Sequence, residues 1–248
     1  MSIIFDPWFY AVAIPAVFLL GLAKGGFSGV GIAATPLLAL YLPPLEAAGL
    51  LLPVLITQDL ISLYVYRHHW DARSLKVMLP GALAGMAIAW WTASIVSDDA
   101  VRLIVGGVGL VFVLNVWLRP HASAVKLSDA AGVFWGAVSG FTSFMTQGGG
   151  PPYQVYMLPK LVLVGTTTIF FAIINALKIG PYFLLGQFTP ANLGTSLALL
   201  PLAAAANMAG IWLVKRTPTG LFYRIAYALL FVVSVALVYQ GLSHLIRG

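Results

Sequence analysis

The chain has 248 residues, of which 60% are hydrophobic and only 8% are Asp, Glu, Lys or Arg. An ordinary soluble domain carries roughly 25% charged residues, and a fold with so few would show water a mostly apolar skin. With a mean hydropathy of +0.96, the composition excludes a soluble enzyme and predicts a polytopic protein of the lipid bilayer. The formal charge of +6 sits in short segments between apolar runs, where basic residues set membrane orientation, so it does not argue for a nucleic-acid partner. The absence of cysteine excludes disulfides, a thiolate nucleophile and cysteine-based metal sites.

A transmembrane helix needs about 20 predominantly apolar residues. The first apolar stretch, 8–42, is cut by Lys24-Gly25-Gly26-Phe27-Ser28-Gly29-Val30-Gly31 and then by Thr35-Pro36. It is preceded by Asp6 and by no basic n-region, so it is expected to stay as an anchor and not to be cleaved as a signal. Clean spans follow at about 46–66, 75–94 and 100–118. A second cut stretch, 131–159, is interrupted at Gly140 and by Gln147-Gly148-Gly149-Gly150-Pro151-Pro152. Spans at about 162–185, 192–214 and 221–242 complete the chain. Glycine is a poor helix former and proline lacks the N–H, so neither cut stretch is expected to be one continuous helix.

Arg67, Arg73 and Lys76 crowd one connection, Arg119 and Lys126 another, and Lys215 and Arg216 a third. Asp98 and Asp99 lie in an alternate connection. With the basic loops cytoplasmic, both termini fall in the periplasm, and each cut stretch must leave and return on one side. Two short helices folded as a hairpin do this, and so do two thin full crossings.

The chain also repeats itself. A shift of 115 places Gly21 on Gly136, Gly25 on Gly140, Ser28 on Ser143, Pro36 on Pro151, Tyr41 on Tyr156 and Pro44 on Pro159. The offset drifts to 121 at Leu79-Pro80 and Leu200-Pro201, and at Trp91 and Trp212. The charge pattern puts the two cut stretches on opposite sides. The expected fold is therefore all-α, with two inverted repeats over residues 1–120 and 121–248, each a Gly-broken hairpin followed by three spans. Interrupted helices at matching positions of inverted halves are the best sequence pointer to a transporter's substrate site.

Unwound backbone at membrane depth survives only where protein buries it or where it lines a wet cavity. Helices restarting at such breaks point N–H groups and a positive dipole end into that cavity. The candidate substrate-binding residues are Lys24, Gly25, Gly26 and Ser28 in the first copy. In the second they are Thr142, Ser143, Gln147, Gly148, Gly149 and Gly150, joined by Asn175 and Lys178 from the following span. This set of backbone donors, hydroxyls, amides and ammonium groups suits a small oxyanion. Gly21, Gly25 and Gly29, like Gly81/Gly85 and Gly136/Gly140, are also spaced as small-residue packing faces, and Lys24 could instead snorkel to an interface. Asp59, which lies 116 residues before Asn175, is either a coupling site for protons or a structural partner for Lys24 or Lys178. Asn207 is expected to tie helices together.

Gly26-Phe27-Ser28-Gly29 imitates a serine nucleophile, but no histidine falls within a span to serve as its base, so no catalytic dyad and no enzyme is expected. His68-His69 beside Asp71 reads as a solvated loop and not as a metal site. No phosphate-binding loop is present. Neither cofactor nor metal is expected, and transport would be secondary or passive.

These residues resemble the TauE/SafE sulfite exporter family of bacterial inner-membrane permeases. The resemblance is carried by Gly21 to Gly31 with Thr35-Pro36-Leu37-Leu38, by Gly136 to Phe141 with Gln147-Gly148-Gly149-Gly150-Pro151, and by Gly165-Thr166-Thr167-Thr168 leading to Asn175 and Lys178. It implies movement of small sulfur-containing anions such as sulfite or organosulfonates, with export the expected direction. The first copy departs from the usual glycine run at Gly31-Ile32-Ala33-Ala34, so the copies would contribute unequally. A passive anion channel, or a permease for a different small anion, is the alternative. Proton coupling and a homo-oligomer stay open at this point.

Overall fold

The computed structural model of the chain describes residues 3–26, 31, 34–39, 41–93, 95, 97–118, 128–147 and 158–247. Among these the secondary structure is entirely helical: α1 (Pro7–Gly25), α2 (Ala34–Leu38), α3 (Pro44–Tyr66), α4 (Ala72–Thr92), α5 (Asp98–Leu118), α6 (Asp129–Thr146), α7 (Lys160–Leu184), α8 (Pro190–Arg216) and α9 (Thr219–Arg247). Five of them, α1, α3, α4, α7 and α8, are long and apolar enough to cross a membrane. The apolar runs expected to span coincide with α3, α4, α5, α7, α8 and α9 to within a few residues at each end, and of these α3, α4, α7 and α8 are among the five. The first cut stretch is less even than a hairpin of two short helices. Its leading arm, α1, runs unbroken for 19 residues, or about 28 Å at the usual rise, whereas α2 has only 5.

Side-chain-poor seams hold the bundle together. A Cβ at Gly21 or Gly25 of α1 would strike Ala206 or Gly210 of α8. On the opposite seam, a Cβ at Gly81 or Gly85 of α4 would strike the carbonyls of Val133 or Ala137 in α6, and one at Gly136 or Gly140 the carbonyls of Met78 or Ala82. Both seams pair ascending numbers with ascending numbers, so α1 runs parallel to α8 and α4 parallel to α6. Hydrogen bonds fix the rest. Ser196 Oγ donates to Leu50 O, and Asn207 Nδ2 to Gln58 O, which sets α8 parallel to α3. Gly49 faces Gln187 while Gly165 faces His69, so α7 runs antiparallel to α3. Thus α1, α3 and α8 point one way and α4, α6 and α7 the other.

This arrangement gathers charge at the two ends. Arg67, Arg73, Lys76, Lys160, Lys215 and Arg216 share one end with Asp71 and Asp129, and Asp6, Glu46, Asp98 and Asp99 share the other with Arg102. At the basic end Lys160 Nζ caps the C-terminus of α8 through Val214 O and Thr217 O (2.5 and 2.9 Å). At the acidic end Asp6 caps α1 by accepting from Trp8 N, while the Tyr41 hydroxyl donates to its other oxygen. The first cut stretch therefore begins and ends together. Gly31 faces Ala23 and Leu20, and Tyr41 has returned to the rings and carboxylate at the start of α1. The Tyr41 hydroxyl, and then the Trp8 N–H, hold the Asp6 carboxyl below its ordinary value of 3.8. A depressed carboxyl stabilises the fold above its unfolded pKa, so this latch holds at neutral pH and weakens only as the pH falls through the lowered value.

The seams carry a direct test. Gly85→Ala would push its methyl into Ala137 O and should lower stability by about 1–3 kcal/mol, the usual range for overpacking. Gly180→Ala, with no atom within 4 Å of the added carbon, should leave it unchanged or slightly raised. Thermal unfolding of the detergent-solubilised protein compares the two, and equal behaviour would mean that the α4–α6 seam is not tightly packed.

Candidate functional site

Two long helices carry the polar core. In α3, Asp59, Ser62 and Tyr66 follow at i, i+3 and i+7. In α7, Asn175, Lys178 and Tyr182 do the same, so each set lines one helical face. All six are buried. Because α3 and α7 are antiparallel and overlap from about residue 50 to the end of α3, Asp59 and Asn175 meet near the middle of the overlap.

The two faces receive the C-terminal ends of α1 and α6. Carbonyls at those ends take side-chain donors in matched pairs, with Ser143 O also accepting the Gln147 N–H of its own helix. Tyr66 Oη donates to Gly25 O at 2.8 Å, and Tyr182 Oη to Phe144 O at 2.5 Å. Ser62 Oγ donates to Lys24 O at 2.9 Å, and Lys178 Nζ to Ser143 O at 2.6 Å. The α6 end closes on Gln147, which adopts a left-handed φ of 55°, a cost that a firmly held residue sustains.

Charge runs across this frame as one connected network. Lys24 Nζ lies 2.5 Å from Asp59 Oδ1 and 5.4 Å from the centre of the Phe171 ring. Asp59 Oδ2 accepts from Asn175 Nδ2 at 2.6 Å, and Asn175 Oδ1 in turn accepts from Lys178 Nζ at 2.9 Å. Lys178, wholly buried, also donates to Ser143 Oγ (2.8 Å) and Gln147 Oε1 (2.7 Å). Its three protons thus face four oxygen acceptors, which saturates the ammonium group. Gln147 Nε2 donates onward to Ala48 O. Each amide in the path uses its oxygen on Lys178 and its nitrogen on an acceptor. The carboxylate therefore serves both lysines, Lys24 directly and Lys178 through Asn175.

Of the residues singled out from the sequence, Lys24, Asp59, Ser143, Gln147, Asn175 and Lys178 come together in this network. Thr142 lies on the same helix end, but its hydroxyl bonds back to Val138 O at 2.8 Å. Gly25 and Gly26 take a different part from the one expected. Gly25 packs against Gly210 of α8, and the N–H of Gly26, at φ 131°, caps α1 through Ala23 O and Leu22 O. That N–H is engaged within its own helix and is not aimed at a ligand. The helix ends that meet this network are the C-termini of α1 and α6, whose negative dipole ends favour the nearby lysines. Ser28, Gly148, Gly149 and Gly150 lie outside the described residues. Asn207 does tie helices together, donating to Gln58 O and Ser62 Oγ.

Sequence reading overlooked Ser62, Tyr66 and Tyr182. The signal was present, since the 116-residue offset linking Asp59 to Asn175 also carries Ser62 onto Lys178 and Tyr66 onto Tyr182.

A bundle of apolar helices whose middle holds a paired carboxylate and two lysines defines a polytopic membrane protein with a built polar core. Such residues cost several kcal/mol in a membrane and mark function. The profile of the family described as sulfite exporter TauE/SafE matches residues 13–237, and the chain belongs to that family of transporters. No curated protein and no solved structure matches it significantly.

If Lys178 organises the α6 end, then Lys178→Met should strand Gln147 Oε1 and Asn175 Oδ1 and lower stability by about 3 kcal/mol or more. Tyr182→Phe, which removes one bond, should cost about 1 kcal/mol. Denaturant unfolding in detergent measures both, and a harmless Lys178→Met would mean that the lysine plays no structural part.

Proposed function

We propose that the protein is a secondary transporter of the bacterial inner membrane that exports a small sulfur-containing anion, sulfite or an organosulfonate. It would work by alternating access around the two interrupted stretches. One observation carries the reading: the helix ends at both breaks are joined by a buried network of two lysines and one carboxylate, which with both lysines protonated leaves an excess positive charge for an anion to neutralise. Lys24 supplies the charge that meets the substrate. Ser143 and Gln147 hold the second break, and Ser28, Thr142 and the Gly148–Gly150 backbone are candidate oxyanion contacts. Asp59 is the candidate coupling group.

The helix directions support inverted repeats over residues 1–120 and 121–248, since α1 opposes α6, α3 opposes α7 and α4 opposes α8. Clustering of arginine and lysine at one end supports a cytoplasmic assignment for that end, with Asp6 and the end of α9 in the periplasm. In inverted-repeat carriers, rocking of one bundle against the other exposes the central site to each side in turn.

The direct test is counterflow of radiolabelled sulfite in proteoliposomes. The wild type should show saturable exchange, and Lys24→Ala should reduce it to background; unchanged affinity in that variant would remove Lys24 from the site. The orientation is tested separately by single-cysteine labelling. Positions 43 and 187 should react from the periplasm and position 68 from the cytoplasm, and labelling of 43 and 187 from opposite sides would overturn the arrangement.

A further inference from the structure

We propose that Asp59 determines the charge of the cargo, restricting the pathway to monoanions and excluding dianions. The inference rests on the transport reading above and adds to it a selectivity residue. Its basis is the tally of groups around the carboxylate. From α1 comes Lys24, and from α7 come Asn175 and Lys178. The α6 end contributes only the neutral Ser143 and Gln147, α8 the neutral Asn207, and α3 itself the neutral Gln58 and Ser62. Among the described residues Asp59 is the only buried carboxylate. With Lys178 counted as protonated, as its four oxygen acceptors favour, two ammonium groups and one carboxylate leave a single positive charge.

The lysines are not equivalent. Lys178 has all its protons on internal oxygens, so it contributes field but no donor. Lys24, with 11% of its side chain exposed, faces Asp59 and the Phe171 ring among the described residues and retains N–H groups for an incoming oxygen. A monoanion beside Lys24 brings the buried sum to zero. A dianion leaves a net negative charge in a low-dielectric surround, a state that buried sites reject. A dianion would be accepted only with a proton on Asp59, so carriage of such a species would oblige proton uptake.

The experiment uses two competitors whose charge does not change near neutral pH, methanesulfonate as the monoanion and sulfate as the dianion, against counterflow of radiolabelled sulfite. In the wild type methanesulfonate should compete, and sulfate should be weaker by roughly tenfold or more. Asp59→Asn removes the negative charge, and sulfate should then gain on methanesulfonate by a similar factor. Should that variant fail to fold, the wild-type ranking alone decides the matter. Exchange in which sulfate competes as well as methanesulfonate, or an unchanged ranking in a folded Asp59→Asn protein, overturns the charge rule and leaves the transport reading standing. Absence of exchange for every anion overturns the transport reading, and the charge rule with it.

Discussion

A carboxylate placed among apolar helices is tolerated only if its charge and its lone pairs are met, and in this protein meeting them organises the centre of the bundle. Asp59 reaches Lys24 with one oxygen and Asn175 with the other. Through Asn175 it also acts on Lys178, whose ammonium group closes the end of α6. The same requirement applies to the carbonyls that helices leave exposed where they stop inside a membrane. Tyr66, Ser62 and Tyr182 satisfy Gly25 O, Lys24 O and Phe144 O, and Lys178 adds a second donor to Ser143 O. Removing the shared carboxylate would leave two like charges in the same core.

The surrounding frame keeps this network aligned. Glycine against backbone brings α1 onto α8 and α6 onto α4 at distances no larger residue allows. Each helix that ends at a break is therefore clamped along its length by a helix of the other half of the chain, and only its tip is free to serve the centre. The seam of α3 with α8 is polar, through Gln58, Ser62, Ser196 and Asn207. Between α7 and α4, Phe170 and Ile174 share an apolar cluster with Met78 and Ala82, and Asp71 N donates to Thr166 Oγ1 at the start of α4.

Much of this was legible in the sequence. Helix positions followed from runs of apolar residues, and loop charge led to the expectation that the first cut stretch returns to its starting end; the contact of Tyr41 with Asp6 brings its two ends together. Lys24, Asp59, Asn175 and Lys178 stood out because charged and amide groups are rare inside spans. Two features were harder to read. The Gly25–Gly26 pair has the same spacing whether it lines a ligand or packs against a helix, and only the proximity of Gly210 and the capped N–H distinguish the cases. The tyrosines were hidden because an aromatic residue in an apolar helix gives no sign of polar work. Their role depends on where α1 and α6 stop, which is a matter of tertiary packing.

That both helix ends belong to one electrostatic unit is tested most directly by a double-mutant cycle between Lys24→Met and Lys178→Met, read as unfolding free energy in detergent. The two lysines share Asp59 without touching each other, so the cycle should show an interaction above about 0.5 kcal/mol. Effects that add within that margin would contradict the account, since they would make Lys24–Asp59 and Lys178–Asn175 two separate pairs.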